Sequence, residues 1–217
     1  MPQPVRLPRI ALILDMDGVL ADTEPLHVRA WDIALAGIDS RTVAHERGHL
    51  AGMSSADIAR ELLRIFRLPL SVEELVEKKR GIFRNLIESG LTPFAGLHDE
   101  LSLWRQGALA LATSSGRSET SLMLSGLGFE GWFDPVITSD DVSRAKPAPD
   151  CYSLAIQRLG RRAEDCVVIE DTVHGITAAR SAGAGVAAVA TSGVPKDIDG
   201  VLGVFDSTVD ALRWLRR

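Results

Sequence analysis

Four short apolar runs constrain this chain more than any other feature: residues 10–14, 108–112, 167–169 and 186–190 each read as a β-strand, and each ends at a small or acidic residue. After each run, at once or past a loop, comes a segment with helical periodicity, the alternation that builds an α/β fold on a Rossmann-like parallel sheet. The helical partners are legible. Residues 118–127 carry Leu122, Leu124 and Leu127 before Gly128, residues 150–159 carry Tyr152, Leu154, Ile156 and Leu159 before Gly160, and residues 174–182 end at Gly183. A glycine just past the last turn suits a left-handed C-cap.

Between the first two strands lies a long insert in which no strand is legible. Residues 26–36, 55–66 and 72–88 place apolar side chains at three- and four-residue intervals, and Ser71 with Glu74 forms a capping box for the last helix. A crossover this long exceeds an ordinary connection, so the chain divides into a sheet domain (1–22 and 93–217) and an inserted, mostly helical domain (23–92). Two linkers, near residues 21–25 and 90–95, join them.

The whole chain narrows the function classes. Its 217 residues, 46% hydrophobic and 24% charged, can bury a sizeable core, and a net charge of -5 with no basic run argues against nucleic acid. The apolar runs are too short for a signal peptide or a membrane span. Cys151 and Cys166 match no metal spacing and read as reduced structural residues, which predicts a cytoplasmic protein.

Parallel sheets put their working residues at the carboxyl ends of strands. There the chain carries Asp15 and Asp17 after the first run, Thr113, Ser114 and Ser115 after the second, and Glu170 and Asp171 after the third, with Lys146 before the next helix. Converging carboxylates repel one another unless a cation sits among them, and hard oxygen ligands without His or Cys suit Mg²⁺. A hydroxyl and a lysine in the same acidic place imply an anionic ligand, with phosphate the natural candidate. Asp15 can then act as a nucleophile.

These residues resemble the motifs of the haloacid dehalogenase superfamily. DMDGVLADTEPLH is similar to its first motif, ATSSGR to its second, KPAPD to its third and VIEDTVHGITAARSAG to its fourth, in the right order along the core. The insert resembles the helical cap of the subfamily that holds β-phosphoglucomutase and many sugar-phosphate phosphatases. The resemblance implies that Asp15 forms an aspartyl-phosphate and that Asp17 is the general acid/base. It implies a Mg²⁺ site made by Asp15, the Asp17 backbone carbonyl and Asp171, with Glu170 supporting the metal. Thr113 and Lys146 would hold the transferring phosphoryl group with help from Ser114, and Gly18 would let the loop turn tightly. Dehalogenases and phosphonate-cleaving members are set aside, because they lack the second aspartate.

The resemblance also places substrate contacts on the insert. Glu24 and His27 follow the first motif, and a histidine at the His27 position helps govern proton traffic in the mutase; the same residue reads equally as a half-buried helix position beside Trp31. Residues 52–58 resemble the specificity loop, with Gly52 and Ser55 as contacts, and Ser55 stands where the mutase has an arginine for a second phosphate. Lys79 matches a cap lysine, or belongs to a solvated helix face. These readings predict a monomeric Mg²⁺-dependent phosphatase acting on a small phosphorylated metabolite such as a sugar phosphate. A β-phosphoglucomutase-type mutase and a catalytically silent phospholigand-binding protein are the alternatives.

Overall fold

A computed structural model of the chain describes residues 10–36, 53–88, 90–105 and 107–217. Strands β1 (Ala11–Leu14), β2 (Leu109–Ala112), β3 (Val136–Ile137), β4 (Cys166–Glu170), β5 (Gly185–Val189) and β6 (Gly203–Phe205) form, among the described residues, one sheet in the order β3-β2-β1-β4-β5-β6. Every pairing is parallel. The four apolar runs are β1, β2, β4 and β5. Strands β3 and β6 carry no legible run: they are edge strands of two and three residues, too brief to leave a periodic signal.

Both faces of the sheet are covered, which is why the central strands are continuously apolar. The pleat sends alternate residues to opposite sides. Leu12, Leu14, Leu109, Leu111, Val167 and Ile169 face one core with helices α4 (Leu97–Ser102), α5 (Arg117–Gly126) and α8 (Thr208–Leu215). Ala11, Ile13, Ala110, Ala112 and Val168 face the other with α6 (Asp150–Leu159) and α7 (Val173–Ser181). The glycines after these helices take the expected left-handed conformation, with φ of 73° at Gly128, 63° at Gly160 and 84° at Gly183.

The insert contributes α1 (Glu24–Ala34), α2 (Ser55–Phe66) and α3 (Val72–Glu88). Helix α1 starts two residues earlier than its periodicity suggests, because Pro25 fits a first helical turn that needs no donor from it. Ser54 caps α2 by accepting from the Asp57 N–H, and the Ser71–Glu74 box closes at 2.7 and 3.1 Å. Trp31, Leu62 and Leu75 anchor a separate apolar cluster within the insert, while Ala30, Phe83 and Ile87 turn the other way into the core shared with α5. Where the chain leaves and re-enters the sheet, the Phe94 N–H donates to the Leu20 carbonyl at 3.0 Å, so the two crossings run side by side. No helix among the described residues is long and apolar enough to cross a membrane, and both cysteines are buried and free.

Candidate active site

Strand β1 continues its pairing one residue past its end, where the Asp15 N–H bonds to the Ile169 carbonyl at 3.0 Å. That fixes Asp15 between β2 and β4, at the point where the strand order departs in both directions. The chain then bends at Met16, which is buried, and Asp17 lines the same cavity as Asp15. Gly18, at φ 71°, then folds the chain back so that its N–H meets the Ala21 carbonyl at 2.9 Å.

Lys146 enters from the loop before α6 and is 5% exposed. Its ammonium donates to Asp15 Oδ1 at 2.6 Å, to Glu170 Oε1 at 2.7 Å and to the Ala112 carbonyl at 3.3 Å, which uses all three donors. Glu170 is held as firmly. Its Oε1 also accepts from the Tyr152 hydroxyl at 2.8 Å, and its Oε2 accepts from the N–H groups of Asp171 and Thr172 and from the Thr172 hydroxyl. The carboxylate lies flat on Gly175, where a Cβ would stand 1.6 Å from Oε1.

Asp15, Glu170 and Asp171 each place a carboxylate oxygen within 4.8 Å of the others, and all three are buried. Burial pushes the Asp15 carboxyl from its ordinary 3.8 up to about 8; Lys146 opposes the shift, while the charges of Glu170 and Asp17 add to it. Asp171 is raised well above its usual range by burial and by the negative charges of Glu170 and Asp15. Burial acts on Glu170 in the same direction, but Lys146 together with the hydrogen bonds from Thr172 and Tyr152 outweighs it, and the net shift is downward. Asp171 Oδ1 is buried without a hydrogen-bond partner. Hard oxygens, two carboxyls that resist ionisation and one orphaned acceptor fit a small divalent cation.

Asp17 stands outside that acidic group. Its Oδ1 accepts from the Thr23 hydroxyl at 2.5 Å and faces His27 Nε2 at 2.9 Å, and its Oδ2 accepts from the Ser115 hydroxyl at 3.1 Å. Burial works to raise its pKa, but His27 and Thr23, aided by Lys79, hold it below the usual carboxylate range. Two aspartates two residues apart therefore have opposite proton affinities.

A cavity of about 100 Å³ opens onto Asp15, Asp17, Lys146 and the Glu170–Asp171 pair. Glu24, His27 and Ser55 reach it from the insert, and Ser114 and Ser115 from the loop after β2. Thr113 is buried behind that loop, its hydroxyl accepting from the Ser115 N–H at 3.0 Å, and it lines an adjoining cavity. Lys79 is neither solvated nor at this wall: it is fully buried, 3.3 Å from Glu119 of α5 and 4.3 Å above the Phe83 ring. Gly52 lies outside the described residues. His27 is both half-buried and at the site, stacked on Phe83 at 4.0 Å.

Four partners escaped the reading of the sequence. Thr23 sits where a linker was expected, and Tyr152, the only tyrosine, was read as an apolar helix position. Thr191 and Ser192 follow β5 and reach Asp171. The rule that located the other residues, to look just past each strand, points to these two as well.

Buried acids gathered around one lysine at the carboxyl end of a parallel sheet fit the site of a hydrolase. The chain belongs to the haloacid dehalogenase-like hydrolase family, whose model matches residues 11–183. It is similar to the fructose-1-phosphate phosphatase YqaB of Escherichia coli (strain K12), 34% identical over 173 residues covering 79% of this chain and 92% of that protein. The phosphorylated carbohydrates phosphatase of Thermotoga maritima is 31% identical over 179 residues, covering 80% of this chain and 81% of that one. Among solved structures, CbbY from Rhodobacter sphaeroides in complex with phosphate matches with a TM-score of 0.81 at 25% identity, covering 92% of this chain and 95% of that one.

Proposed function

We propose that this chain is a Mg²⁺-dependent phosphatase that hydrolyses a small phosphorylated metabolite, a sugar phosphate, through an aspartyl-phosphate on Asp15. The observation that carries this reading is the contrast between the two aspartates: Asp15 is buried against Lys146 among acids, and Asp17 is held as an anion by Thr23, His27 and Ser115. The similarity to two phosphatases of phosphorylated carbohydrates supports the substrate class.

In this reading an Asp15 oxygen attacks phosphorus while Lys146, exchanging one of its present acceptors, donates to a phosphoryl oxygen on which charge builds. Thr113 and Ser114 line the loop that cradles them. The arriving phosphoryl charge raises the proton affinity of Asp17, which takes a proton from solvent water before the cap closes and gives it to the departing sugar oxygen. Asp17, again an anion, then removes a proton from water as that water attacks the aspartyl-phosphate, releasing inorganic phosphate and restoring Asp15. Asp15, Asp171 and the Asp17 carbonyl would hold Mg²⁺, with Glu170 in support, and the ion would offset the repulsion between the Asp15 carboxylate and the phosphoryl oxygens. Residues 23–92 act as the cap that excludes water and reads the sugar through Glu24, His27 and Ser55. The enzyme is a cytoplasmic monomer.

The test is phosphate release from a panel of sugar phosphates that includes fructose 1-phosphate, with β-glucose 1-phosphate run beside a coupled assay for glucose 6-phosphate. Mg²⁺-dependent release from one or a few monophosphates is expected. Glucose 6-phosphate formed in dependence on a bisphosphate primer, with little free phosphate, would replace the phosphatase by a mutase. No turnover of any member of the panel would sink both.

A further inference from the structure

Two hydroxyls stand beside the site without a part in the reaction above. The turn after β5 brings Ser192 to donate to Asp171 Oδ2, while the Thr191 hydroxyl lies 3.3 Å from the same oxygen and 2.6 Å from the Gly18 carbonyl. On another side Gly18 closes against that oxygen so tightly that a Cβ there would stand 1.8 Å from it. Asp171 Oδ1 has no partner at all, although the residue is only 1% exposed. One carboxylate therefore has one oxygen engaged and one bare.

We infer that Thr191 and Ser192 are positioning residues that make Asp171 a one-oxygen ligand, presenting Oδ1 and withholding Oδ2, and so bias the site toward Mg²⁺ over Ca²⁺. The inference rests on the divalent-cation reading given above. Mg²⁺ is small, keeps an octahedral shell and takes one oxygen from a carboxylate, whereas Ca²⁺ accepts six to eight oxygens and often both from one carboxylate. Turning Oδ2 toward a cation would break its bond to Ser192 and leave that hydroxyl to find another acceptor, while Thr191, its hydrogen on the Gly18 carbonyl, walls that side of the carboxylate. A two-oxygen grip therefore costs more here than in a site whose outer face is water. Groups that hold a ligand from behind are worth roughly 10- to 100-fold in metal affinity. Ser192 is itself exposed, so water competes for its place, and the experiment must separate the two.

The experiment titrates the substrate-free protein with MgCl₂ and, separately, CaCl₂ by calorimetry. It compares the wild type with Thr191→Val/Ser192→Ala, Ser192→Ala alone and Ser192→Thr. In the double variant the Kd for Mg²⁺ is expected to rise about tenfold, while the Kd for Ca²⁺ stays or tightens. Ser192→Ala alone is expected to move the Mg²⁺/Ca²⁺ ratio in the same direction by less, and Ser192→Thr to keep the wild-type ratio. Equal weakening toward both cations would mean a general loss of packing, and no change would mean that water replaces the hydroxyl; either result overturns the inference. If circular dichroism shows the double variant unfolded, the two single variants decide. A wild type that binds neither cation would instead bring down the Mg²⁺ reading, and this inference with it.

Discussion

Asp15 makes the most direct residue-scale prediction. Asp15→Asn keeps the shape and loses the attacking oxygen, so phosphate release should fall by on the order of a thousandfold or more with circular dichroism unchanged. Retained Mg²⁺-dependent turnover would exclude Asp15 as nucleophile. The same carboxyl sets a pH dependence. Its folded pKa of about 8 lies above its ordinary 3.8, so the metal-free protein holds a proton that the unfolded chain releases. Stability from that proton is complete below about pH 4 and is lost as pH rises through 8. A cation at Asp15 must displace it, so Mg²⁺ binding should release a proton and the gain in Tm with Mg²⁺ should be larger at pH 8 than at pH 6. A gain that is equal at both values, with no proton release in buffers of different ionisation enthalpy, would contradict this. Gly175 makes a third prediction from contact alone: its missing Cβ is the seat of Glu170. Gly175→Ala should destabilise by about 1–3 kcal/mol or more in denaturant unfolding, against the usual helical preference for alanine. A neutral result would mean that Glu170 can shift without cost.

Between elements, the pair to test is Lys79 of α3 with Glu119 of α5. Lys79 is fully buried and Glu119 is 3% exposed, and Glu119 also accepts from the Gly116 N–H at 3.4 Å at the start of α5. One carboxylate thus joins the insert to the loop that carries Ser114 and Ser115. The contact continues through Phe83, which lies under Lys79 and stacks on His27, the partner of Asp17. Removing Lys79 leaves buried Glu119 with only the half-buried Arg80 guanidinium at 3.8 Å, so Lys79→Met should cost up to about 3–5 kcal/mol, and Lys79→Met/Glu119→Gln should recover much of that loss. A double variant no more stable than Lys79→Met would show that the pair is not coupled. Nothing local marks this burial, since Lys79 stands in a charged run beside exposed Glu77 and Lys78.

Across the whole molecule, legibility followed burial on both sides. Strands β1, β2, β4 and β5 are apolar up to the site because helices cover both faces, and the site residues stand out as polar interruptions at or just past their ends. Strands β3 and β6 sit at the edges, where half-buried backbone pairing needs no distinctive side chains. Tyr152 was hidden for the opposite reason: its ring packs as part of the apolar face of α6, and only the fold reveals that its hydroxyl reaches Glu170. Thr23 is an ordinary polar residue ahead of α1 whose bond to Asp17 leaves no local trace, whereas Thr191 and Ser192 stand just past β5, where the rule that finds the other site residues applies to them as well.

The strand order has a consequence for how the chain is made. The ribosome delivers β1 first, yet β1 is an inner strand whose neighbours β2 and β4 come later, and the whole helical insert is translated in between. At about 5–20 residues per second, both edges of a fully apolar segment stay open for several seconds of synthesis. A nascent chain at that stage carries Asp15 without Lys146 to pair with it, and its open strand edges are exposed to capture by another nascent strand. Truncated or stalled translation products ending before β2 should therefore be chaperone clients rather than soluble fragments.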